Sequence, residues 1–149
     1  MISCDTNILF PACDATSSHH ASAREFLSRH KQDPQFLLCE QVLMELYCLL
    51  RNPTVCKTPL SAPAAVAIIQ KFRRNPDWRI VDAVQDARMM EQVWKWAANP
   101  TFAYRKIFDM RLAATLRAHQ VHEFATRNIK DFEDAGFARV WNPLRDHKD

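Results

Sequence analysis

Short apolar runs of three or four residues alternate along this chain with longer amphipathic segments, and few folds accept that rhythm. Residues 1–4, 36–39, 78–81, 123–126 and 138–141 read as strands. Helices are predicted between them. The first runs from Ser17-Ser18 to about His30 with Ala21, Phe26 and Leu27 inward, and the second covers 40–50 with Val42, Leu46 and Leu49 at helical spacing. A third covers 64–72, started by Ser61-Ala62-Pro63 with proline near the first helical position. A fourth spans 83–97, with Val84, Ala87, Met90, Glu91, Trp94 and Ala97 three or four apart, and a fifth runs from Tyr104 or Lys106 to about His119. Parallel strands need crossover segments of about this length, so the expected class is α/β: a three-layer α/β/α sandwich around a central, mainly parallel sheet of four to five strands. At 149 residues the chain is expected to form a single domain over 1–149. In such sheets ligands bind at the carboxyl ends of the strands, so the end of the first strand is the first place to look.

Several functions are excluded or disfavoured before any site is considered. There is one glycine against eight prolines, and glycine-rich phosphate loops and dinucleotide turns need several glycines close together. The five cysteines contain no CxxC pair and an odd count, which signals neither a zinc knuckle nor a disulfide framework. Most of them adjoin apolar residues and are expected to be small buried hydrophobes in a reducing cytoplasm. His119 and His122 have HxxH spacing but straddle a helix end, a poor zinc site. No apolar run approaches the roughly 20 residues of a membrane span, and Met1-Ile2-Ser3-Cys4-Asp5 lacks the basic start of a signal peptide, so a soluble, cytoplasmic protein is expected. Net charge is +3, unevenly placed: residues 1–60 carry five basic and six acidic groups, residues 61–149 fifteen and eleven. That excess permits a polyanionic partner without demanding one.

Four acidic positions stand where a site would form. Asp5 follows the first strand directly, where it could also cap a helix. Glu45 lies mid-helix among apolar residues, and none of Gln41, Val42, Cys48 or Leu49 can pair its charge. Burying it unpaired would cost several kcal/mol, so Glu45 is either exposed at an edge or neutralised by something remote, such as a divalent cation. Asp109 begins a helix, in line with the inward stripe of Leu112, Ala113 and Leu116, and there the helix dipole alone could favour it. The last strand end before the final turn offers oxygens from Thr126, Asn128 and Asp131. A donor set made of oxygen alone implies a hard cation, Mg²⁺ or Mn²⁺, with several waters retained.

At these residues the sequence resembles the PIN-domain family, and within it the ribonuclease toxins of VapC type. Asp5-Thr6-Asn7 resembles the family's opening motif, Met44-Glu45-Leu46 its second acid, and Asp109 before Leu112-Ala113-Ala114 its third. Thr126-Arg127-Asn128 with Asp131-Phe132 resembles the closing motif, and Trp141-Asn142-Pro143 the C-terminal ending. His19-His20 and the stretch from Asn52-Pro53 to Pro59-Leu60-Ser61 are similar to one branch of these toxins. Many members carry aspartate where Asn128 stands, so the fourth position falls to Asp131, with Asn128 as a neutral oxygen or an orienter of water.

The resemblance implies an endoribonuclease using Mg²⁺ or Mn²⁺. Asp5, Glu45, Asp109 and Asp131 would be catalytic residues and metal ligands, one of them doubling as base for the attacking water. Thr6, Thr126 and Asn128 would orient them. The substrate implied is RNA, tRNA or another structured RNA above all, with Arg105, Lys106, Arg111 and Arg127 as candidate phosphate contacts. Trp94, Trp96 and Tyr104 could stack bases, although the spacing of Trp94 with Met90 and Ala97 points to the core. The resemblance also implies a homodimer restrained by a small VapB-type antitoxin, which would sit in a negative cleft walled around Phe26, Leu43, Leu46 and Leu50. Three readings compete: a housekeeping PIN nuclease in RNA processing, a catalytically silent PIN RNA-binding module, and a haloacid-dehalogenase-type phosphatase. The last wants a second carboxylate at the position of Asn7, and the silent module would be expected to lose one of the acids.

Overall fold

Five three-residue strands carry the sheet in the computed structural model, which describes residues 1–145: β1 (Ile2–Cys4), β2 (Leu37–Cys39), β3 (Arg79–Val81), β4 (Glu123–Ala125) and β5 (Arg139–Trp141). Helices α1 (Thr6–Cys13) and α2 (His20–Arg29) connect β1 to β2, and α3 (Glu40–Arg51) and α4 (Ala62–Arg73) connect β2 to β3. The return from β3 to β4 runs through α5 (Ala87–Ala97) and α6 (Lys106–Ala118), and the short α7 (Ile129–Phe132) leads to β5. Every pairing is parallel: β2 with β3, β1 with β4, and β4 with β5. A single parallel bridge between Ile2 and Phe36 joins the two groups, giving the order β3-β2-β1-β4-β5. The expected α/β class and parallel sheet are therefore what the chain forms. Among the described residues no helix is long and apolar enough to cross a membrane.

The strand order fixes the layers. Parallel crossovers are right-handed, so the two that move outward through β2 to β3 place α1–α4 on one face. The two that move the other way, to β4 and β5, place α5–α7 on the opposite face. Packing agrees, with α1 against α2 and α3, α3 against α4, and α6 against α5 and α7. The direction of winding reverses between β1 and β4, and the crevice of such a sheet opens at the carboxyl ends of those two strands. Central strands are buried on both sides, as at Leu37, Leu38, Phe124 and Ala125, whereas exposed Arg79 and Arg139 mark the edges.

Helix α4 starts where the sequence places it, with the Ser61 hydroxyl accepting from the Ala64 N–H at 3.3 Å and proline in the first turn. Several local expectations need correction. Residues 6–13 are not among the expected helices, yet α1 forms there, takes Pro11 into its interior and buries Ile8, Leu9 and Ala12. Ser17-Ser18 do not cap α2, whose N-cap is His19, and the inward residue is Ala23 while Ala21 is exposed. Leu43 and Leu50 are buried on α3, and Leu49 only partly. In α5 the buried positions are Met89 and Val93, not the frame through Met90 and Trp94, and Trp94 is 56% exposed. Apolar residues occupy both frames, and packing against α6 selects one. Cys4, Cys39 and Cys56 are buried, but Cys48 is exposed. Phe26, Leu43, Leu46 and Leu50 all lie in the core, so they do not wall a cleft. The lone glycine, Gly136, sits at φ +87°, a left-handed turn under the Arg117 guanidinium.

Candidate active site

The last residue of β1 hands the chain to Asp5, whose N–H donates to the Ala125 carbonyl at 2.9 Å and so continues the β1–β4 ladder one step beyond the strand. Asp5 occupies the N-cap of α1 yet makes no side-chain capping bond. Its carboxylate turns to the neighbouring strand end instead. Oδ2 accepts from the Thr126 hydroxyl at 2.7 Å and from the Asn7 amide at 2.7 Å. The capping role is thus given up for a bond across the β1/β4 crevice.

Asn7 is a member of this set that sequence reasoning left outside the site, although it stands in the opening motif. Its Nδ2 also donates to Thr126 Oγ1 at 3.1 Å, and its Oδ1 accepts from the Arg127 N–H at 3.0 Å. Thr126, fully buried, takes a further bond from the Asn128 N–H at 3.0 Å. One asparagine and one threonine therefore lock the ends of β1 and β4 together and hold Asp5 in a single orientation.

Glu45 reaches the same place from α3. Thr6 Oγ1 lies 3.0 Å from Glu45 Oε2 and 3.1 Å from the Val42 carbonyl, two acceptors for its one proton. On the other side Gln41 Nε2 donates to Glu45 Oε1 at 3.3 Å and to the Phe108 carbonyl at 3.1 Å, tying α3 to the start of α6. Neither donor is charged, so Glu45 is oriented without being neutralised. Asp109, in the first turn of α6, is half-buried and near enough to these acids to feel their charge.

The acids also act on one another electrostatically. Burial, partly offset by the Thr126 hydrogen bond and reinforced by Glu45, pushes the Asp5 carboxyl up to about 6. Burial and the charges of Asp5, Asp131 and Glu45 push Asp109 to about 6 as well, with Lys106 opposing. A helix start would favour a charged aspartate by about 0.3–1 kcal/mol. The upward shift means that burial and the other acids outweigh the dipole. Among the described residues no three His, Cys, Asp or Glu side chains close on a single point. Donors that are all oxygen suit a hard divalent cation that keeps part of its water shell.

The other expected residues divide. Asp131, in the first turn of α7, lies near enough to raise Asp109, while the Asn128 side chain is exposed and makes no capping bond. Lys106 stands by Asp109. Arg105 and Arg127 are exposed beside the site, and Arg105 lies over the Tyr104 ring at 5.6 Å. Arg111, one position beyond Met110 on α6, lines a cleft with Ala83, Val84, Asp86, Met89 and Met90.

A doubly wound parallel sheet in this order, with carboxylates gathered at its switch point, is the PIN class of α/β domain. Solved structures agree in fold. The Mycobacterium tuberculosis VapC20 toxin, described as cleaving the sarcin–ricin loop, superposes with a TM-score of 0.66 at 23% identity, over 92% of this chain and 96% of that one. A DNA-bound VapBC from Salmonella typhimurium gives 0.61 at 17% identity, over 95% and 97%. No family model matches the chain. Ribonuclease VapC24 of Mycobacterium tuberculosis, however, is 49% identical over 144 residues, 97% of each protein, in two strains. The chain belongs to the VapC ribonuclease family.

Proposed function

We propose that this protein is an Mg²⁺- or Mn²⁺-dependent endoribonuclease, the cytoplasmic toxin of a VapBC-type module. It would act on tRNA or another structured RNA and work as a homodimer restrained by a cognate VapB-type antitoxin. The observation that carries the reading is that Asp5, Glu45 and Asp131, from three other elements, lie near enough to Asp109 for their charges to raise it, with Asp5 at the carboxyl end of β1. Kinship with a named ribonuclease at 49% identity supports the RNA substrate, and VapBC assemblies among the fold neighbours support the antitoxin.

Asp5, Glu45, Asp109 and Asp131 would hold the cation, which when bound would offset the charge of the scissile phosphate and ease loss of a proton from the attacking water. Thr126 and Asn7 keep Asp5 fixed while its charge is compensated, and Thr6 with Gln41 does the same for Glu45. Preset ligands need no reorganisation when substrate arrives. Lys106, beside Asp109, offers a cation to the phosphate backbone, and Arg127, anchored through its N–H to Asn7, offers another.

Cleavage of labelled tRNA and single-stranded RNA, with Mg²⁺ or Mn²⁺ against EDTA, tests the enzyme reading. Asp5→Asn and Glu45→Gln should each abolish metal-dependent cleavage while circular dichroism stays native. Full cleavage by either variant removes that residue from the site, and full cleavage in EDTA removes the metal. Growth arrest on expression in a host without the antitoxin, absent with Asp5→Asn, tests the toxin reading. A harmless wild-type chain would move a housekeeping nuclease ahead.

A further inference from the structure

The turn that delivers Asp109 to the site also carries the most exposed aromatic ring among the large hydrophobic side chains. Tyr104 is 79% exposed and Phe108 62% exposed. Turn hydrogen bonds lead into α6 there, from the Lys106 N–H to the Ala103 carbonyl and from the Phe108 N–H to the Arg105 carbonyl. Tyr104 lies in the turn just before α6 and Phe108 in the helix's first turn, four residues on. Leaving two rings in water forgoes burial worth about 1.5–3 kcal/mol for a phenylalanine, so the fold gains nothing from them as they stand.

Their surroundings specify the occupant. Arg105 lies over the Tyr104 ring at 5.6 Å, and Lys106 follows it. Aromatic faces interleaved with cations are what an unpaired nucleic-acid strand requires, because it presents a base and a phosphate at every step. A docking helix would ask instead for an aliphatic groove. The segment is also tied to the acids. The Gln41 amide that orients Glu45 bonds the Phe108 carbonyl, and Asp109 is the next residue in the chain.

Resting on the ribonuclease reading, we propose that Tyr104 and Phe108 form a stacking platform for unpaired bases flanking the scissile phosphate, with Arg105 and Lys106 on the adjoining phosphates. The platform answers a physical problem of the site. Four carboxylates repel an RNA backbone, and a net charge of +3 over the chain offsets little of that. Stacking is insensitive to the acids' charge and supplies affinity where electrostatics does not. It selects single-stranded or looped RNA, because paired bases keep their faces covered.

The test measures affinity and cleavage separately. Binding of a fluorescent single-stranded oligoribonucleotide in EDTA should weaken about 10-fold for Tyr104→Ala and for Phe108→Ala, within the range known for single stacked bases. Tyr104→Phe and Phe108→Trp should keep wild-type affinity. In cleavage assays the alanine variants should raise KM with kcat within about 3-fold. Placing an abasic nucleotide at successive positions should identify one where wild type loses the same factor and Phe108→Ala loses nothing more. Unchanged affinity in both alanine variants, or a loss that persists undiminished on abasic RNA at every position, overturns the platform. So does conversion of a dimer to a monomer by these substitutions in sedimentation, which would make the patch a contact between two copies. Absence of any cleavage by the wild type, with base-dependent binding intact, overturns the nuclease reading and leaves the platform standing.

Discussion

Replacing Asp109 by asparagine should stabilise the protein without metal and disable it with metal. In the folded state the Asp109 carboxyl is raised from 3.8 to about 6 by burial and by Asp5, Asp131 and Glu45. Two units at 1.36 kcal/mol each set an upper limit of ~3 kcal/mol of destabilisation by the charged form. Asp109 is only half-buried, so water screens much of this, and ~1 kcal/mol is the figure to expect. Because the folded value is raised, the folded protein holds the proton more tightly than the unfolded chain. Below the ordinary value of 3.8 both states are protonated and the penalty is absent. It grows as pH rises from about 4 to about 6 and is complete above. In EDTA at pH 7.5, Asp109→Asn should therefore melt about 2–4 °C above wild type, and at pH 4 the two should coincide. Adding Mn²⁺ at about 100-fold over its Kd should reverse the order, because wild type then gains about 2.7 kcal/mol of binding free energy. Thermal melts followed by circular dichroism at both pH values, with and without Mn²⁺, read all of this. A variant clearly less stable than wild type at pH 7.5 in EDTA would refute mutual repulsion, and an unchanged gap at pH 4 would refute its electrostatic origin.

Other outcomes follow from the same contacts. Asp131→Asn should weaken Mn²⁺ binding less than Asp109→Asn, and Asn128→Asp should be tolerated or bind Mn²⁺ more tightly, as titration calorimetry would show. A null effect at Asp131 with a large loss in Asn128→Ala would move the fourth position to Asn128. Thr126→Val removes the hydroxyl that favours ionised Asp5, so the acid limb of the pH–rate profile should move to higher pH, and an unmoved limb would mean that Asp5 does not govern it. Gly136→Ala would place a Cβ 2.1 Å from Arg117 Nη1 at φ +87°. It should cost about 1–2 kcal/mol in urea denaturation, with only the steric part relieved by Arg117→Ala.

How much was legible in the sequence differs by level. The five strands, most of the helices and the parallel class follow from local apolar patterning, because a short buried strand and an amphipathic crossover each leave a composition that no neighbour needs to explain. Asp5, Glu45 and Asp109 stand out for the same reason: a carboxylate beside an apolar run is locally out of place. Where two local solutions compete, the sequence falls silent. The residues of α5 offer two apolar frames, and only the surface of α6 decides that Val93 turns inward and Trp94 outward. Helix α1 overrides Pro11 because Ile8, Leu9 and Ala12 have a core to enter. Asn7 and Gln41 look like ordinary polar residues until strand order brings β4 beside β1 and the start of α6 beside α3. Pairing across 119 and 67 positions of chain creates their bonds to Thr126 and to Phe108, and no window along the chain contains both partners. Composition and periodicity act over a few residues and so determine the elements. Which side chains meet is decided by the winding of the sheet, whose reversal between β1 and β4 gathers separate acids at one edge.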